Sequence, residues 1–244
     1  MSVGVAGWSS GVMAADEATS AWAKTSGWSK ERWMSLAFAL GSTCFFVGPF
    51  PGYAALVGAI PVAVTFFVGS LLFTVGGALQ TWLAARHRFV PGAGRAAWWT
   101  ATAQLAGTVF FNVSTFRAIR TVLSEPSYDR LVWRPDAFGS ACFLVSGVIA
   151  YRAGARHGWL PARGTAGWWE PAVNLVGCLF FGLSAVAGYV LPASATMLGQ
   201  AAANWNTAAG AACFLACALA GLSRRPARGR PPAREWSPSR ERAD

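Results

Sequence analysis

The chain has 244 residues, 54% of them hydrophobic and 12% charged, with a formal net charge of +10. A water-soluble domain carries about 25% charged residues, so half of the usual surface chemistry is missing and a soluble fold is excluded. The mean hydropathy is +0.39, and across residues 33–50, 61–85, 168–191 and 205–223 the sole charged side chain is Glu170.

Residues 1–30 mix Gly, Ser and Trp with Asp16, Glu17, Lys24 and Lys30, and no apolar run follows a basic start. A cleavable secretory signal needs that order. The expectation is a weakly structured cytoplasmic leader, with an interfacial piece around Trp22 and Trp28.

Six apolar runs then follow, near 33–50, 61–85, 98–118, 135–152, 168–190 and 204–223. A helix crossing a bilayer core takes about 20 predominantly apolar residues, which matches them. Pro51-Gly52 and Pro61 bracket the first connection, Pro91-Gly92 marks the second, and Pro126, Pro161 and Pro192 mark the rest. Such residues belong at helix ends. The predicted fold is an all-α membrane protein of six transmembrane helices in three two-helix hairpins, about 31–85, 98–152 and 168–223. Residues 224–244 hold seven Arg, three acids and four prolines, a composition that predicts a disordered basic tail.

Orientation follows from the basic flanks. Lys24, Lys30 and Arg32 precede the first helix. Arg86, Arg88 and Arg95 lie in the second connection, Arg152, Arg156 and Arg163 in the fourth, and seven Arg in the tail. The other side has four, Arg117, Arg120, Arg130 and Arg134. Sixteen cations against four place both termini in the cytoplasm. Trp33, Trp98, Trp99, Trp168 and Trp169 open helices on that side, and Trp133 and Trp205 on the other, as suits an indole that is half apolar and carries one donor.

One motif recurs in all six runs: Gly, Phe four residues later, and a small residue seven later. The copies are Gly41/Phe45/Gly48, Gly69/Phe73/Gly76, Gly107/Phe111/Ser114, Gly139/Phe143/Ser146, Gly177/Phe181/Ser184 and Gly210/Phe214/Cys217. At 100° per residue these offsets form one narrow stripe. Lipid gives helices no hydrophobic reason to associate, so they pair where small residues allow close approach. Each stripe carries a hole, a knob and a second hole, and each Phe is expected to fill the groove over a neighbour's Gly. Odd-run glycines stand 66 and 70 residues apart and even-run ones 70 and 71. That spacing predicts a hairpin repeat of about 70 residues, arranged around a pseudo-threefold axis.

The even copies GSLLFTVGG (69–77) and GSACFLVSG (139–147), the latter preceded by WRPD (133–136), carry a resemblance. They resemble the YrhK-like family of short bacterial membrane hairpins, and the WRPD stretch is similar to uncharacterised actinobacterial integral membrane proteins. The resemblance spans about 31–222. It implies the helical-hairpin fold and a bacterial inner-membrane location, and it implies no activity.

Polar residues inside the bilayer are costly and often functional. Gln104, Asn112, Asp136 and Asn174 are the candidates for a polar path. Against that reading, interhelical amide bonds also fix register, at about 0.6–2 kcal/mol each, and no acid, base or His lies mid-membrane. Asp136 is expected in a rim ion pair with Arg134, Arg117 or Arg120.

Catalytic chemistry has little support. His87 and His157 fall in arginine-rich loops, and Glu170 is a lone carboxylate at a helix start, where it favours the dipole. Haem would need His residues facing one another within the spans. No nucleophile elbow, zinc-protease helix or phosphate loop occurs. Cys44, Cys142, Cys178, Cys213 and Cys217 all sit in apolar runs, where thiols act as small hydrophobes. No cofactor, metal or enzymatic activity is expected. The expected partners are the bilayer, anionic headgroups against the tail, and a second copy or another membrane protein; the tail lacks a folded module for nucleic acid. Two functional readings follow: a structural or interaction protein of the inner membrane, or a small-solute or lipid transporter with a polar path between hairpins.

Overall fold

A computed structural model describes residues 29–121, 127–156, 160–161, 167–191 and 193–224. The leader up to residue 28, His157 and the tail from residue 225 lie outside them. Seven α-helices are present among the described residues: α1 Lys30–Val47, α2 Pro51–Val57, α3 Ala59–Ala85, α4 Ala93–Ala118, α5 Arg134–Gly154, α6 Glu170–Ala187 and α7 Gln200–Ser223. A π-helical turn, Asp129–Trp133, leads into α5. Two antiparallel pairs of two-residue strands tie loops together, β1 Ala155–Arg156 with β2 Leu160–Pro161 and β3 Val190–Leu191 with β4 Thr196–Met197.

Four helices are long and apolar enough to cross a membrane: Ala59–Ala85, Asp129–Gly154, Glu170–Ala187 and Gln200–Ser223. The pair α1 and α2 qualifies together as one bent span. With 26 residues α4 has the length, but Thr100, Gln104, Thr108, Asn112 and Thr115 lower its hydropathy.

The first run departs from its expected bounds. Instead of reaching residue 50, α1 stops at Val47 and the chain turns by 89° into α2. Pro49 has no N–H to continue the ladder, and Pro51 restarts a helix at a position where its missing donor is harmless. Gly58, at φ +86°, then separates α2 from α3, a conformation that a side chain rarely adopts. Pro61 falls inside the first turn of α3 rather than before it. The fourth run begins earlier than expected, because the π turn extends it back to Asp129.

The long helices form a closed ring. Each packs against the next in sequence, α1 on α3, then α4, α5, α6 and α7, and α7 returns to α1. The glycine contacts reveal the register. Gly41 faces the Phe73 ring and Gly69 the Phe45 ring; Gly107 and Phe143, Gly139 and Phe111, Gly177 and Phe214, and Gly210 and Phe181 are reciprocal in the same way. Reciprocal pairs of this kind require antiparallel neighbours. Small residues let the backbones approach: a Cβ at Gly41 would lie 2.9 Å from the Gly69 carbonyl oxygen.

The last position of the stripe is a hole in the first pair, where the Phe66 ring covers Gly48 and the Phe38 ring covers Gly76, but Ser114, Ser146 and Ser184 depart from it as hydrogen-bond donors. Gly48 is not within a helix at all. It caps the C-terminus of α1, its N–H donating to the Cys44 carbonyl at 2.9 Å. The ring over it belongs to Phe66, three residues before Gly69, rather than to a stripe phenylalanine. Ser114 is buried in α4 but serves as a hydrogen-bond donor, its Oγ reaching the Val132 carbonyl in the π turn at 2.9 Å. Ser146 and Ser184 donate likewise across their helix pairs, to the carbonyls of Thr100 and Ala203, both at 2.9 Å. A buried hydroxyl needs a partner, so these serines tether the pairs where glycine would only permit approach.

The six stripe phenylalanines meet at the centre. Phe45, Phe111 and Phe181 form one triangle, with ring centroids 5.7–6.4 Å apart. Phe73, Phe143 and Phe214 form a second, at 5.7–6.2 Å. Contacts of 5.1–5.7 Å join the layers within each helix pair. Such pairs are worth about 0.5–1.5 kcal/mol each beyond the area they bury. Polarity elsewhere is inverted relative to a soluble protein. Ser42, Ser70, Thr108 and Ser146 are fully buried, while Leu40, Val68, Val75, Val113, Val145 and Leu183 face outward. An apolar exterior over a small, polar interior suits lipid as the solvent.

Candidate functional site

On one side of the phenylalanine cluster the ring is filled; on the other it encloses a cavity of about 820 Å³. The cavity lies where the N-terminal halves of α1, α4 and α6 meet the C-terminal halves of α3, α5 and α7. Its floor is aromatic, formed by Phe38, Phe73 and Phe214. Gln80, Thr100, Gln104 and Asn174 stand on its walls, and Glu31, Arg32, Glu170 and Arg224 at its mouth.

The walls are poorly satisfied. Thr100 and Gln104 are each 9% exposed. The Thr100 hydroxyl oxygen and the Gln80 Oε1 are buried without a hydrogen-bond partner. Ser146 Oγ, bonded to the Thr100 carbonyl, also lies 3.4 Å from Gln104 Oε1. Asn174 has only a long contact from Nδ2 to Cys178 Sγ, 3.9 Å. At the mouth Arg224 pairs with Glu170, and the Cys217 thiol donates to the Glu170 carbonyl at 3.5 Å. Leaving a buried polar atom unpaired costs about 1–3 kcal/mol, and atoms of this kind are not confined to the cavity, since Ser42 Oγ, Thr81 Oγ1 and Asn112 Oδ1 lack partners as well.

The four candidates for a polar path are therefore divided. Gln104 and Asn174 share the cavity. Asn112 is elsewhere: its Nδ2 donates to Thr74 Oγ1 at 2.8 Å across the α3–α4 interface. Asp136 lies towards the opposite end of the bundle. Among the described residues it forms no ion pair with Arg134, Arg117 or Arg120, and Arg134 turns back to Asp129 at 2.8 Å. The cluster of six rings stands between these levels, so the four residues line no continuous channel.

Among the described residues the opposite end is closed by side-chain contacts. Trp133 Nε1 donates to the Ala185 carbonyl at 2.9 Å and its ring packs on Tyr189. Ser184 and Thr207 share a 2.6 Å bond, Ser114 is bonded to Val132, and the Phe66 ring lies over Gly48. The space remaining near Phe50 and Trp205 is about 60 Å³.

Several cavity residues extend the stripes beyond the motif, and of these Gln104 and Asn174 were already candidates from the sequence. Seven before the odd-run glycines stand Met34, Thr100 and Glu170, and three before them Phe38, Gln104 and Asn174. Eleven after the even-run glycines stand Gln80, Ala150 and Gly221. All nine line the cavity. Continuing each stripe by one more turn finds them. A second omission is the residue after each motif glycine, Ser42, Ser70, Thr108, Ser140, Cys178 and Ala211, all buried. Three of these face the neighbouring helix pair: Ser70 bonds Thr115 at 3.0 Å, Ser140 reaches the Phe181 carbonyl at 3.3 Å, and Cys178 packs on Gly147. Comparison with protein-family models, with curated proteins and with solved structures finds no match to this chain.

Proposed function

We propose that this protein is a small-solute transporter or solute-binding protein of the bacterial inner membrane, with the cavity as its binding site. The observation that carries the reading is the cavity itself, with Gln104, Asn174, Thr100 and Gln80 on its walls. A bundle built only for packing or partner docking has no reason to keep that volume open, since interiors are close-packed and voids destabilise. The structural or interaction role is for this reason the second reading. We take all six long helices as spans, arranged as three repeats about a pseudo-threefold axis, with both termini cytoplasmic. The two triangles of phenylalanine and the reciprocal Gly–Phe contacts support that arrangement, and the arginine bias supports the orientation. On this reading the chain is YrhK-like in its hairpins, the cavity opens to the cytoplasm, and the Arg-rich tail lies on anionic headgroups.

Single cysteines at positions 104, 112 and 174 in a cysteine-free background test the reading. A small membrane-impermeant thiol reagent should label 104 and 174 from the cytoplasmic face and leave 112 untouched. Protection of 104 and 174 would return the protein to the structural reading.

A further inference from the structure

We infer that the solute held in this cavity is an uncharged molecule with a hydrogen-bonding end and an apolar end. This rests on the reading of the cavity as a solute site. The walls below the mouth offer amides and hydroxyls, Gln80, Thr100, Gln104 and Asn174, and no formal charge. The charged residues are confined to the mouth, where two acids, Glu31 and Glu170, face two bases, Arg32 and Arg224, and Arg224 is already paired to Glu170. An ion brought to the floor would leave water without meeting an opposite charge, which disfavours it strongly. A neutral polar group instead meets the amides of Gln104 and Asn174, which line the cavity with only long contacts, 3.4 Å to Ser146 Oγ and 3.9 Å to Cys178 Sγ. Its apolar end meets the ring surfaces of Phe38, Phe73 and Phe214. The volume lies within the range of about 300–1,000 Å³ usual for pockets that take small organic ligands.

Cys217 lines the same cavity and provides a native reporter. The purified wild-type protein is treated with three methanethiosulfonate reagents of similar size, bearing a hydroxyl, a quaternary ammonium or a sulfonate. Modification of Cys217 is followed by peptide mass spectrometry, and each rate is divided by that reagent's rate with a free thiol. The thiolate fraction of Cys217 is common to all three and cancels. The neutral reagent should be favoured over both charged ones by at least about tenfold, equivalent to 1.4 kcal/mol. Equal normalised rates, or preference for either ion, would overturn the uncharged class while leaving the cavity as a site. No reaction with any reagent would overturn the cavity reading as well. The Gln104→Glu variant, assayed at pH 8, should raise the normalised rate of the ammonium reagent several-fold. An unchanged rate there would mean that the walls do not set the preference, and would also sink the assignment.

Discussion

The glycines of the stripe are the residues with least freedom to vary. A Cβ at Gly107 would lie 2.5 Å from the Phe143 ring and 2.9 Å from the Gly139 carbonyl oxygen. The ring is itself held in the central cluster, so neither neighbour has room to yield. Gly107→Ala should cost about 1–3 kcal/mol through overpacking and Gly107→Leu more, read as a lowered melting temperature in detergent. Gly182, in α6, has no atom within 4 Å of a Cβ. Gly182→Ala should therefore leave stability unchanged or raise it by up to about 1 kcal/mol. A loss at Gly182 as large as that at Gly107 would show that the close contacts of the stripe do not set the cost. Asn112 is a contrasting case. Its Nδ2 is bonded to Thr74, but its Oδ1 is buried without a partner. Asn112→Leu removes a bond worth about 0.6–2 kcal/mol together with that unpaired atom, so a loss below about 1 kcal/mol is expected, with labelling of the cavity unaffected.

At the scale of elements, the contacts within a helix pair differ from those between pairs. Within pairs, Gly and Phe alternate across α1 and α3, α4 and α5, and α6 and α7, and Ser114, Ser146 and Ser184 tie the second and third pairs near their ends. Between pairs, the residue after the glycine takes over: Ser70 with Thr115, Ser140 with the Phe181 carbonyl, Cys178 with Gly147. Trp133 adds a bond from the π turn to the end of α6. Trp133→Phe keeps the ring packing on Tyr189 and removes one hydrogen bond, so a loss of about 0.5–1.5 kcal/mol is expected. The stripe was legible in the sequence because Gly and Phe recur at helical spacing. Its last position was legible only as smallness: Gly48 and Ser114 look equivalent in the pattern, yet one ends a helix under a ring and the other donates a hydrogen bond. The residue following each glycine carries no clearer signal, because Ser, Thr, Cys and Ala share size rather than polarity. The bend between α1 and α2 was half legible. Pro51-Gly52 announced a break, while Pro49 lay inside the expected run and the short helix after it depends on a chain with room to fold back at the rim.

For the whole molecule, the closed ring gives the cavity its place. One half of the bundle is filled by Phe66, Trp133 and the Ser184–Thr207 contact, and the other is left open above Phe38, Phe73 and Phe214. Widening the floor should enlarge access: Phe38→Ala removes a ring that also covers Gly76. The variant should admit a bulkier thiol reagent to Cys217, at a stability cost of about 3–5 kcal/mol if Gly76 does not collapse onto the space. The mouth pair behaves differently. Arg224 is largely exposed, and Arg224→Ala should change stability by less than about 1 kcal/mol while opening the entrance to Cys217.

The sequence by itself determined the lipid-facing character, the positions of most helices to within about a turn, and the stripe through which they touch. These are local properties, set by hydropathy along a run and by the 3.6-residue period. Only the tertiary structure decided that Gln104 and Asn174 share a cavity, that Asn112 is bonded to Thr74, and that Arg134 pairs with Asp129 rather than Asp136. Whether space remains at a given level depends on the side-chain volumes contributed there by six helices at once. No single run of residues carries that sum.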